Sequence, residues 1–198
     1  MAKRQYTRGY KQPKEWLTKE EYNQLINHPE LPRKDDLIIQ LLYGCALRVS
    51  ELCNIRVKDI NIPNATITIW ESKRSDDPAL VPVPAPLLKM INQWIRDNRL
   101  TKIRYLFFSS HSQKLSRTQV HRIIKDAGKR AGLEKEITTH VMRRTRAALL
   151  LDSGLPLEQV SRLLRHKYLS STMIYLKISI KGLQQAISKI DSSDDSVF

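Results

Sequence analysis

The chain has 198 residues, with 34 Lys plus Arg against 20 Asp plus Glu and a formal net charge of +14. Hydrophobic residues make up 41% of it, enough for a packed core, so wholesale disorder is excluded; no apolar run approaches the length that spans a bilayer, and the charged start MAKRQYTRGYKQ has no apolar segment behind it to form a signal peptide. A cytoplasmic protein is the expectation, with Cys45 and Cys53 as buried thiols, since two cysteines in an apolar stretch are too few for a disulfide framework or a cysteine metal site.

In chain order, the first fourteen residues carry Lys3, Arg4, Arg8, Lys11 and Lys14 and no acid, so residues 1–15 read as a mobile basic arm. Thr18-Lys19-Glu20-Glu21 has the capping-box pattern and predicts a helix to about Asn27, closed by Pro29 and Pro32. A second helix is expected from Asp35-Asp36 through Tyr43, apolar on nearly every face and therefore central, and Ser50 is placed to cap a short third one. The period then changes to two: Thr66 to Trp70 and Leu80 to Val83, across a polar turn from Glu71 to Pro78, predict an antiparallel hairpin. A helix from Pro86 to Asn98 and a short strand at Tyr105 to Phe108 follow. Ser116 to Gln119 repeats the capping box ahead of a helix striped by Val120, Ile123, Ile124, Ala127 and Ala131 and ended by Gly132. Thr138 or Thr139 caps the next helix, Gly154 stops it, and Leu155-Pro156 opens another. Short helices near Ser171 to Lys177 and Lys181 to Ile190 come last, before an acidic tail over 190–198. The fold class is mainly α with a small antiparallel β-sheet, in one domain over residues 16–190.

So large a basic surplus points to a polyanion, because each Lys or Arg laid on a phosphate releases condensed counterions. Nucleic acid is favoured over a membrane, since the basic residues are spread over several elements and do not line one amphipathic helix rich in Trp and Phe. Aromatics alternating with basics, the mark of a single-strand platform, are missing too, which favours duplex. Arg117, Arg122, Lys125 and Lys129 on one helix, with Arg74 and Arg144, are candidate contacts to DNA.

Taken singly, the polar groups have dull readings: Arg48 and Glu51 form a surface pair, Lys73 sits in a solvated turn, His140 and Arg143 lie at a helix start, His166 complements a helix dipole, and Tyr175 is half-buried core. As a set they hold what phosphoryl transfer without a metal needs. Two arginines can grip nonbridging oxygens, two histidines can donate hydrogen bonds or move protons, a lysine can protonate a leaving oxygen, and a tyrosine hydroxyl can attack phosphorus. No acidic cluster has metal-site spacing, which disfavours a two-metal nuclease, and no metal or cofactor is expected.

From about Trp16 to Ile190 the sequence resembles the catalytic domain of the tyrosine recombinases, or phage-type integrases. Leu47-Arg48-Val49-Ser50-Glu51-Leu52 is similar to their first arginine box. Lys73, nine residues before Pro82, resembles their hairpin lysine; His140-Val141-Met142-Arg143 matches a His-x-x-Arg box; His166 lies twenty-three residues after Arg143 and Tyr175 nine after His166. The resemblance implies Tyr175 as nucleophile, Arg48, His140, Arg143 and His166 as stabilisers of the phosphorane, Lys73 as acid and Glu51 as support to Arg48. It implies site-specific recombination through a 3'-phosphotyrosyl intermediate, a nucleoid-associated protein acting on double-stranded DNA, and a homo-tetramer on synapsed DNA linked by the helix Lys181 to Ile190. The sequence departs from the family where Ala46 and Arg165 replace usual glycines; no separate N-terminal core-binding domain is expected within these residues, only the short arm, so the chain reads either as a small single-domain member, like the fimbrial-type invertases, or as the catalytic piece of something longer. The alternatives are a nick-and-reseal enzyme of type IB topoisomerase kind and a catalytically silent DNA-binding accessory protein.

Overall fold

Helix α2, Arg33–Gly44, is the element around which the others are arranged, because Leu37, Ile38, Ile39, Leu41 and Leu42 leave it little polar face. The computed structural model describes residues 16–70, 78–110, 112–166 and 168–173. The basic arm, the hairpin turn with Lys73 and Arg74, and the terminal segment with Tyr175 and the last expected helix lie outside these residues.

Around α2 pack α1 (Lys19–Ile26), α3 (Val49–Asn54), α4 (Ala85–Asp97), α5 (Arg117–Arg130) and α6 (Thr139–Asp152). The capping boxes form as expected: Thr18 Oγ1 accepts from Glu21 N–H at 3.2 Å while the Glu21 carboxylate accepts from Thr18 N–H at 2.7 Å, and Ser116 and Gln119 repeat the exchange on α5. Helix α2 begins two residues before the expected Asp35-Asp36. Pro32, with its fixed φ, takes the cap position, and the two acids fall inside the first turn, where they still face the positive end of the dipole. Ser50 is not a cap either. It lies inside α3, whose cap residue is Arg48.

The sheet has three antiparallel strands in the order β1 (Ile60–Asn61), β2 (Thr66–Ile69) and β3 (Ala79–Pro82). Ile67 and Val81 face each other and are buried, as the alternation required. The expected strand at Tyr105 to Phe108 reduces to one bridge between Tyr105 and Arg56, since the partner chain turns at once into a 3-10 turn, Val57–Asp59, and offers no ladder to extend. Leu106 and Phe107 are nonetheless buried in the main core.

Just past the end of helix α6, Gly154 at φ +89° turns the chain toward α7, Leu157–Leu163, with Pro156 at its cap; α8, Ser170–Met173, follows. Ala46, Ala147, Val160 and Leu164 form a small second core that fixes α7 against α6 and the end of α2. Cys45 and Cys53 are free and buried, as read from the sequence. Among the described residues no helix is long and apolar enough to cross a membrane.

Candidate active site

The site is assembled by the turn after α2. Ala46 adopts a φ of +47°, which swings Leu47 into the core and leaves Arg48 extended, with φ −74° and ψ 150°, at the start of α3. The Glu51 carboxylate accepts from Arg48 N–H at 2.7 Å through Oε2, and from Arg48 Nη1 at 2.7 Å through Oε1. One acid thus caps α3 and aims the arginine it caps. Glu51 is 8% exposed in its side chain while Arg48 is 39% exposed, so the pair is not the surface couple that its i, i+3 spacing alone suggests. Burial by itself would push the Glu51 carboxyl up; Arg165 and Arg48 outweigh this and hold it below the usual carboxylate range.

Helix α6 supplies the next two groups. Thr138 Oγ1 accepts from Val141 N–H at 3.2 Å and fixes the first turn, which leaves His140 exposed and turns Arg143 inward. Arg143 is 6% exposed. Its Nη1 donates to the Ala46 carbonyl at 2.6 Å and its Nη2 to the Leu164 carbonyl, so two turns distant in sequence are tied to one guanidinium.

His166 follows the end of α7. Its Nδ1 lies 2.8 Å from the Thr172 hydroxyl of α8, which is fully buried, and this pair sets the rotation of the ring. Burial, and then the charges of Arg143, Arg48 and Arg165, push the imidazole down to about 4, so it is neutral at neutral pH. Arg48, His140, Arg143 and His166 all line one open pocket. A neutral donor and two guanidiniums on one concavity can bind and polarise a phosphate group.

Of the candidate DNA contacts, Arg117, at the start of α5, and Arg144 line this same pocket. Lys125 and Lys129 are exposed farther along α5. Arg122 instead lines a separate depression with Lys34 and Arg130. Three features escaped the sequence reading: the Thr172 hydroxyl, the Ala46 and Leu164 carbonyls, and the side chain of Arg165. For Thr172 its distance of six residues from His166 was the available signal, and for Arg165 it was the replacement of a glycine.

The phage integrase family model matches residues 15–181. Tyrosine recombinase XerA of Pyrococcus furiosus is 38% identical over 177 residues, covering 87% of this chain and 60% of the relative. A tyrosine recombinase of Pseudothermotoga lettingae is 33% identical over 176 residues, covering 89% and 60%. The chain therefore spans about three fifths of the length of these curated relatives. Among solved structures, XerA recombinase superposes with a TM-score of 0.77 at 26% identity, over 88% of this chain and 64% of that one. The site-specific recombinase XerH in a post-cleavage complex with difH substrate gives 0.72 at 21% identity, over 88% and 53%, a likeness of fold. On the family match and on the relatives together, the chain belongs to the phage integrase family, as a catalytic-domain fold of the kind carried by the tyrosine recombinases.

Proposed function

We propose that residues 16–190 form the catalytic domain of a site-specific DNA recombinase that cleaves and rejoins duplex DNA through a 3'-phosphotyrosyl link. The observation that carries this reading is the convergence of Arg48, His140, Arg143 and His166, from three separate segments, on one pocket. In the reaction, Tyr175 Oη attacks phosphorus as its proton leaves to a base, the bond from phosphorus to the 5'-oxygen breaks, and Lys73 protonates that oxygen. The guanidiniums of Arg48 and Arg143, with His140 and His166, hold the charge that accumulates on the nonbridging oxygens. With the Thr172 hydroxyl donating to Nδ1, His166 keeps its Nε2–H for the phosphate. No nucleotide is consumed, because the phosphotyrosyl bond keeps the energy for rejoining.

Arg74, Arg117, Arg122, Lys125, Lys129 and Arg144 serve as phosphate contacts in this reading, so affinity for random duplex falls steeply with added salt; a flat response in a binding titration would contradict them. In the same reading the segment 181–190 links protomers in a tetramer on synapsed DNA. A chain ending after Lys181 then still folds and binds duplex but loses the higher-order complex, whereas unchanged strand exchange would remove that role. The direct test of the function is to incubate the protein with a library of genomic duplex fragments, denature, and sequence the DNA that stays covalently attached. A recurrent sequence on the protein is the expected result; complete absence of attached DNA would contradict the reading.

A further inference from the structure

The turn that ends α7 carries an arginine in a backbone conformation that L side chains rarely adopt. Arg165 has a φ of +51°, and the bonds from Arg165 N–H to the Arg162 carbonyl at 3.0 Å and from His166 N–H to the Ser161 carbonyl at 3.2 Å form the helix ending in which glycine is the usual residue. Every nitrogen of this side chain is hydrogen-bonded. Its Nη2 donates to Glu51 Oε2 at 2.6 Å and to the Ala46 carbonyl at 3.1 Å, its Nη1 to the Leu163 carbonyl at 2.8 Å, and its Nε to Glu51 Oε1 at 3.3 Å. Its own carbonyl accepts from Arg48 Nη2 at 2.8 Å. At 7% and 8% exposure, Arg165 and Glu51 are a buried pair, and Arg165 stands behind the pocket without lining it.

From this geometry we infer that Arg165 is a positioning residue for strand transfer: it grips Glu51 and the Ala46 carbonyl from behind, so that the carboxylate that aims Arg48 is itself held in place. The inference rests on the strand-transfer reading of the pocket. Glu51 accepts from both Arg48 and Arg165, and the Ala46 carbonyl from both Arg143 and Arg165. A glycine at 165 would keep the turn and remove the grip on both. A phosphodiester carries one negative charge and its phosphorane two, so the aim of Arg48 counts most in the transition state and bears on rate more than on duplex affinity.

The test compares Arg165→Met, Arg165→Gly and Arg165→Lys with the native chain on a duplex that the native protein captures covalently. The rate of adduct formation at saturating duplex falls about 10- to 100-fold in the Met and Gly variants, the range set by a lost charged hydrogen bond, while affinity stays within about threefold. Lys restores part of the rate, since one ammonium meets Glu51 but cannot fork to the Ala46 carbonyl as well. A nitrogen–proton NMR spectrum of the arginine side chains, taken without DNA, shows the Arg48 guanidinium slowed by its fixed partners in the native chain and freed in the Gly variant. Native cleavage by Arg165→Gly, which keeps the turn even if Arg165→Met fails to fold, or an unchanged Arg48 signal, would overturn the inference. Absence of any adduct with the native chain would count against the strand-transfer reading, and the DNA-free spectrum would still decide whether Arg165 fixes Arg48.

Discussion

Arg143 illustrates how a buried charge becomes a tool. It is 6% exposed, and its two terminal nitrogens donate to the backbone carbonyls of Ala46 and Leu164, so two turns distant in sequence hold the guanidinium. Glu51 shows the complementary arrangement, spending one carboxylate on a backbone N–H and two arginines. His166 is oriented in part by the Thr172 hydroxyl at its Nδ1. Thr172→Val keeps the shape of that side chain and removes the hydroxyl, so adduct formation slows about tenfold, the worth of one ordinary hydrogen bond, while duplex affinity is kept. Single-turnover cleavage measures it, and an unchanged rate would show that the ring is set by packing alone.

At the scale of elements, the turns matter more than the helices. Ala46, at φ +47°, brings the Ala46 carbonyl to Arg143 and starts α3 in one step. A β-branched side chain there is strained by its backbone conformation and crowds the small core of Ala147, Val160 and Leu164. Ala46→Val therefore destabilises the fold by about 2 kcal/mol or more, read as a shift in the denaturant midpoint with the slope unchanged. The helices themselves were legible in the sequence, because Thr18, Ser116 and Thr138 cap as their spacing requires and the α5 stripe from Val120 to Ala131 is buried or half-buried. The Ser50 cap was misread, since a sequence does not reveal that Glu51 reaches back to Arg48 N–H and moves the cap two residues upstream. The strand at Tyr105 was misread because burial of Leu106 and Phe107 gives the same apolar run whether or not a partner strand exists. Likewise the ordering of Arg48, His140, Arg143 and His166 along the chain was plain, but the network that holds them runs through backbone carbonyls, which carry no side-chain signature.

For the whole molecule, the site couples folding to pH. His166 falls from 6.5 to about 4 on folding, so between those values the unfolded chain binds a proton that the folded chain refuses, and stability is lost as the pH is lowered through that window. Glu51, held below its unfolded value, adds a loss of the same sign at lower pH still. Thermal unfolding followed from pH 7 to pH 4 shows the midpoint falling, and His166→Gln flattens the decline; an equal slope in both would contradict the buried neutral imidazole. In the proposed reading the arginines of this centre carry the charge of the phosphate, and the range of the family match, residues 15–181, includes Tyr175. The central claim is that this centre transfers a DNA strand to Tyr175 with its own side chains. The most direct test incubates the protein with duplex in EDTA, digests it, and locates the phosphate-bearing tyrosine by mass spectrometry, with Tyr175→Phe in parallel. The account predicts an adduct on Tyr175 that persists in chelator and is absent from Tyr175→Phe, which still binds duplex; an adduct on Tyr168, or cleavage lost in EDTA and restored by magnesium, would contradict it.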